Sequence, residues 1–154
     1  MANVSRTLRT LLGALVVSAL LCGLGRAQTV PEADRAALAG PWRGLWVSDT
    51  HEYDALLQLT VTANGAAEGA ITWTLRKSNR ADYQSKLGLT GTEYVRGRFD
   101  ARASLLSIDG YRLDDPNKIL GTDKYRLVVG DNRRTLGGLT WDHNTWTGRI
   151  FLRR

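Results

Sequence analysis

The sequence predicts an all-β protein: an eight-stranded antiparallel up-and-down barrel, with a two-layer β-sandwich as the alternative. Three observations carry that prediction. After Gly40, apolar and polar residues alternate with a period of two, and no stretch sustains a helical period. Asn64-Gly65, a strong hairpin signal, sits between two such runs. Short clusters of Asp, Asn, Gly and Pro separate the remaining runs, and strands joined by short links pair antiparallel. Eight strands connected this way can close on themselves, which removes the exposed edges of an open sheet.

Residues 42–48 open the sheet, with Trp42, Gly44 and Trp46 on one face. The run 55–62 places Leu57, Leu59 and Val61 on one side and Gln58, Thr60 and Thr62 on the other. Asn64-Gly65 supplies the positive φ angles of a tight turn, and 70–76 resumes with Ile71, Trp73 and Leu75 sharing a face. Further strands are predicted over 92–99, 104–113, 122–129, 135–141 and 145–152. Their separators are Asp100-Ala101-Arg102, Asp114-Asp115-Pro116-Asn117, Gly130-Asp131-Asn132 and Asp142-His143-Asn144. One connection is long, residues 77–89, and loops of that length in compact domains often serve as lids or binding loops. Within 92–99, Val95 and Phe99 are assigned to the core and Arg96 and Arg98 to solvent. The opposite assignment would turn Tyr94, Arg96, Asp109 and Tyr111 inward as an anion pocket.

Residues 1–27 have the composition of a secretory signal peptide. Arg6 and Arg9 precede an apolar run over 11–24, and Gly25, Arg26 and Ala27 place small residues before a cut at Gln28. The run is shorter than the roughly 20 apolar residues of a membrane span, so cleavage rather than anchoring is expected. Residues 28–39 read as a polar tail or one short helical turn, and 40–154 as a single barrel domain. The expected location is therefore outside the cytoplasm, periplasmic or secreted. Cys22 is the only cysteine, and Leu20 and Leu21 before it disfavour lipidation. Without it the exported chain has no disulfide, and its core must hold the fold alone. The chain carries 21 Lys and Arg against 15 Asp and Glu. Three of those arginines (Arg6, Arg9, Arg26) leave with the leader, which cuts the excess from six to three. That mild excess argues against a nucleic-acid partner, which needs a concentrated basic stripe.

No nucleophile elbow, phosphate loop or zinc spacing occurs, and no catalytic residue, metal or cofactor is assigned. Asp49, His51, Glu52 and Asp54 lie together in the sequence, a composition competent for metal binding or hydrolysis but also ordinary for a polar loop. In a meander, successive loops alternate between the two ends of the barrel. Loops 49–54, 77–89, 114–120 and 142–144 then share one end, with the long loop and both histidines. Binding residues concentrate on loops held by a rigid scaffold. The candidate ligand-binding residues are therefore Trp46, His51, Tyr83, Trp141, His143 and Trp146. Trp42 and Trp73 are assigned to the core.

Gly40-Pro41-Trp42 at the start of the first strand resembles the Gly-x-Trp signature of the lipocalin and avidin-like barrels, the calycin group. The hairpin with Asn64-Gly65, Gly69 and Ile71 is similar to the second and third strands of avidin. The resemblance covers about residues 38–75. It implies a structural role for Gly40 and Trp42, the tryptophan closing one end of the barrel and an arginine near the last strand packing across it. Arg149, Arg153 and Arg154 are the candidates for that arginine. Avidin's biotin-contacting pattern and the lipocalin cysteines are missing, so biotin is not implied. Some bacterial periplasmic inhibitors of secreted metalloproteases share the barrel and a similar start, but they normally carry a disulfide. The expected function is an exported, non-catalytic binding protein with a small-molecule ligand. The alternative is an inhibitor or interaction module that acts on an extracytoplasmic hydrolase through its loops. A third reading is an enzyme that uses the acidic segment around His51.

Overall fold

Alternation of apolar and polar side chains along successive runs produces a closed barrel of eight strands in the computed structural model, which describes residues 29–142 and 147–154. The expected signal peptide, residues 1–27, lies outside the described residues, as do His143 and Trp146. The strands are β1 Gly40–Val47, β2 His51–Val61, β3 Ala66–Ser78, β4 Thr90–Asp100, β5 Leu105–Asp114, β6 Asp123–Val129, β7 Thr135–Asp142 and β8 Thr147–Arg153. Each pairs antiparallel with the next, and β1 pairs with β8 from Arg43↔Arg153 to Val47↔Arg149. The β1–β8 ladder decides for the barrel over the sandwich, because no edge is left open.

The inward register carries Leu57, Leu59, Ile71, Leu75, Val95, Phe99, Leu106, Ile108, Leu127 and Leu152, all buried. Arg96 and Arg98 are exposed, as expected from Val95 and Phe99. The anion-pocket register is therefore overturned. The Arg96 guanidinium lies 4.8 Å from the centre of the Tyr111 ring, Arg112 lies 3.7 Å from that of Tyr94, and Asp109 pairs with Arg126 at 3.0 Å, all on the outer wall.

The β2–β3 turn differs in detail from expectation. Only Gly65 has positive φ, at 82°. The Gly65 N–H donates to Thr62 O and the Thr62 N–H to Ala66 O, which makes a three-residue connection with glycine in the left-handed position. A larger correction concerns β2 and β3, which extend well beyond 55–62 and 70–76. The expected loop 49–54 is mostly strand, because Glu52 and Asp54 face out and pair with Lys77 (3.2 Å) and Arg76 (3.9 Å) on β3. The long connection shortens accordingly and contains a 3-10 helix, Ala81–Lys86.

One end of the barrel is plugged. Helix α1, Glu32–Leu38, lies across it, with Val30 and Leu38 buried in the core beside Trp42. The Trp42 indole N–H donates to Leu38 O at 2.9 Å. Arg154 stacks on the Trp42 ring at 5.3 Å and donates to the carbonyls of Ala37 and Ala39. Of the three candidate arginines, Arg154 is the one that crosses the tryptophan. Asp34 on the helix pairs with Arg133 in the β6–β7 turn at 3.1 Å. No helix among the described residues is long and apolar enough to cross a membrane. Trp42→Ala removes a fully buried indole and is expected to lower stability by about 3–5 kcal/mol. Arg154→Ala is expected to cost only about 1 kcal/mol. Urea denaturation of the two variants against wild type checks both values.

Candidate functional site

At the end opposite the plug, the inward registers of β2, β3, β4 and β6 change from aliphatic to aromatic and acidic. β1 contributes Trp46, β2 His51 and Tyr53, β3 Trp73, β4 Glu93, and β6 Asp123 and Tyr125. These side chains line a cavity of about 160 Å³, completed by Arg80 and Tyr83, by Ile119–Gly121 from the β5–β6 loop, and by Asp142.

The rings form one connected cluster. Trp46 meets Tyr53 edge-on at 5.6 Å, Tyr53 meets Trp73 at 6.0 Å, and Trp73 stacks with Tyr125 at 6.5 Å. Such pairs contribute beyond the area they bury. A glycine makes room for this cluster: a Cβ at Gly148 would overlap the Trp46 indole. The Trp46 N–H is satisfied by Thr140 Oγ1 at 2.6 Å, and the Tyr53 hydroxyl by Ile119 O.

Glu93 is the most unusual residue of the wall, a carboxyl buried among rings. Trp73 Nε1 donates to its Oε2 at 3.2 Å, the Tyr125 hydroxyl donates to the same oxygen, and the Asp123 N–H donates to Oε1 at 2.8 Å. The last bond crosses β5 at Gly110, where any Cβ would overlap the Glu93 carboxyl. Burial pushes the Glu93 pKa up to about 7, while the bonds from Tyr125, Asp123 and Trp73 hold it down. Burial also raises Asp123 to about 6, partly offset by a hydrogen bond from Thr140 and reinforced by the charge of Asp142. The Tyr125 hydroxyl is pushed well above its usual value by burial and by Glu93.

The rim is built by the 3-10 helix. Tyr83 packs on His51 with ring centres 4.5 Å apart, and cations flank it, Lys86 at 4.7 Å and Arg80 at 5.1 Å. Arg80 is forked onto Asp82 at 2.8 and 3.1 Å. Lys86 Nζ donates to Lys118 O across the mouth at 2.9 Å, and Asn79 ties back to Asp49 O at 3.1 Å. Burial and Arg80 lower the pKa of His51, against a smaller opposing effect of Asp82, so its neutral form is favoured.

No family model matches this chain, and no curated protein does. Among solved structures, a redesigned β-barrel, mFAP0, bound to DFHBI, superposes with a TM-score of 0.57. The alignment covers 77% of this chain and 99% of that one at 11% identity. The likeness is one of fold. This chain is a closed eight-stranded barrel of that kind.

Of the residues singled out from the sequence, Trp46, His51 and Tyr83 come together on this one cavity. Trp141, at the end of β7, does not join them: it sits on the outer wall under the Arg126 guanidinium at 5.2 Å. The acidic segment does not assemble as a site. His51 faces in, whereas Glu52 and Asp54 face out to their β3 partners. Among the described residues, no three His, Cys, Asp or Glu converge as a metal site. Sequence reasoning missed Tyr53, Glu93, Asp123 and Tyr125. For Glu93 the signal was present, since it shares the inward register with Val95 and Phe99.

Raised pKa values link this site to stability. Folded, Glu93 keeps a proton that the unfolded chain releases near its ordinary value of 4.5. Its stabilising contribution is therefore complete below about 4.5 and lost as pH rises through about 7. Relative to Glu93→Gln, the wild-type protein should lose on the order of 3 kcal/mol across that window. Denaturant midpoints of both proteins at several pH values measure this difference, and a constant difference contradicts it.

Proposed function

We propose that this protein is an exported, non-catalytic binding protein of calycin type, whose cavity at the open end takes one small, ring-containing ligand. One observation carries the reading: a barrel plugged at one end leaves an aromatic-walled cavity at the other. Concave sites with apolar walls and a few converging polar groups are the usual form of small-molecule pockets. An engineered protein cavity of about 150 Å³ accommodates benzene, so a cavity of about 160 Å³ suits a single ring with a short polar arm.

Gly40, Trp42 and the crossing Arg154 support the calycin relationship, and the basic-then-apolar character of residues 1–27 supports export. In this reading Tyr83, held on His51 between Arg80 and Lys86, forms one side of the entrance.

Titration with one-ring compounds such as phenol, benzyl alcohol and benzylamine, followed by tryptophan fluorescence, tests the binding claim. At least one should give a saturable change, because Trp46 and Trp73 are in the wall. Tyr83→Ala should weaken that binding by about five- to tenfold with little change in stability. Complete absence of saturable binding contradicts the reading, and a hydrolase that co-purifies with the protein would favour the inhibitor role instead. Intact mass of protein recovered from an expressing bacterium should show a chain starting near Gln28.

A further inference from the structure

Among the described residues, the lining of the cavity has a charge imbalance that narrows its ligand. Its wall carries Glu93 and Asp123, with Asp142 beside them, while Arg80 is the one lysine or arginine among the described lining residues. Arg80 stands at the rim and is already forked onto Asp82. His51 favours its neutral form. Two carboxyls drawn into an aromatic cavity lose hydration, and a buried charge is costly without a partner of opposite sign.

The carboxyls are placed by the fold. Glu93 shares the inward register of β4 with Val95 and Phe99, and Asp123 shares that of β6 with Tyr125 and Leu127. β5 lies between them, and Gly110 leaves the gap through which Glu93 reaches the Asp123 backbone. Glu93 is held from three sides, by Trp73, Tyr125 and Asp123, so its carboxyl cannot swing out to solvent. The rings around it add a second attraction for the same charge, because the face of an indole or phenol attracts a cation.

We propose that the cavity takes a small organic cation, a one-ring primary amine, with its ammonium against Glu93 and Asp123 and its ring among Trp46, Tyr53 and Trp73. This rests on the reading of the cavity as a ligand site. An ammonium supplies the missing opposite charge and donates up to three hydrogen bonds. At a pH where Glu93 and Asp123 are ionised, a carboxylate ligand would meet like charge and a neutral ring would bring no opposite charge. A calcium or magnesium ion takes six or more oxygen ligands, and among the described residues no three His, Cys, Asp or Glu converge on one point.

Binding then depends on pH through the acids. The titratable and charged groups facing the ammonium are Glu93 from β4, Asp123 and Tyr125 from β6, Tyr53 and His51 from β2, and Asp142 from β7. Arg80 and Tyr83 face it from the rim, with Asp82 behind Arg80 and Asp115 behind the β5–β6 loop. Of these, Glu93 and Asp123 gain protons between pH 8 and 5. A primary amine remains protonated throughout. Affinity should therefore fall as pH drops below about 7, by up to about tenfold per unit for each carboxylate that must stay ionised.

Calorimetric titration of the exported chain with benzylamine, benzyl alcohol and phenylacetate tests the proposal. At pH 8 benzylamine should bind at least about tenfold tighter than benzyl alcohol, and phenylacetate should bind least. The gap should close at pH 5. Glu93→Gln and Asp123→Asn, each checked for fold by circular dichroism, should narrow the gap at pH 8. Equal or tighter binding of benzyl alcohol at pH 8 overturns the cation assignment while leaving the ligand site standing. No binding of any of the three compounds overturns both. Should neither variant fold, the discrimination by wild type and its pH dependence decide the matter alone.

Discussion

The indole of Trp42, bonded to Leu38 O and covered by Arg154, is the contact on which the rest of the molecule depends. A closed barrel of eight strands has two ends, and apolar side chains fill its middle. At the Trp42 end, the helix Glu32–Leu38, Val30 and the C-terminal arginine complete the filling. Nothing comparable covers the other end among the described residues. There the 3-10 helix and the β5–β6 loop stand around an opening rather than in it. The asymmetry follows from chain order, because Val30 and helix Glu32–Leu38 run directly into β1 and so lie at the end where β1 begins.

At the open end, competing forces meet on Glu93. Burial disfavours its charge, whereas three donors favour it, and the balance leaves its pKa near 7. A carboxyl with that balance changes charge with small changes in its surroundings. The aromatic cluster fixes that carboxyl in place, and Gly110 and Gly148 clear the volume it and Trp46 need. Polar and apolar parts of the wall thus constrain each other, and neither has its geometry without the other.

Much of the barrel was legible from local pattern. Period-two alternation and the Asn64-Gly65 turn locate the strands, because a strand with one face in a core must repeat every second residue. Legibility failed where partners lie far apart in sequence. Residues 51–54 resemble a polar loop until Lys77 and Arg76 are placed across from Glu52 and Asp54. Val30 and Leu38 sit in a polar tail, and only the closed barrel shows that they plug it. Trp46, His51 and Tyr83 could be grouped by loop arithmetic, whereas Trp141 could not be separated from them, since its neighbour Thr140 takes the inward place. Glu93 was readable in principle: the alternation that buries Val95 buries it too, but a search for hydrophobic periodicity passes over an acid.

The most direct measurement is a map of amide and indole N–H resonances during titration with benzylamine. Four of the protein's five tryptophans lie among the described residues and divide the barrel cleanly. The indole N–H signals of Trp46 and Trp73 and the amides of Gly121 and Asp123 should shift in a saturable way. The indole of Trp42 in the plug should not move, nor should that of Trp141 on the outer wall. Shifts confined to Trp42, Trp141 or the outer faces of the strands would contradict a ligand cavity at the open end of this barrel.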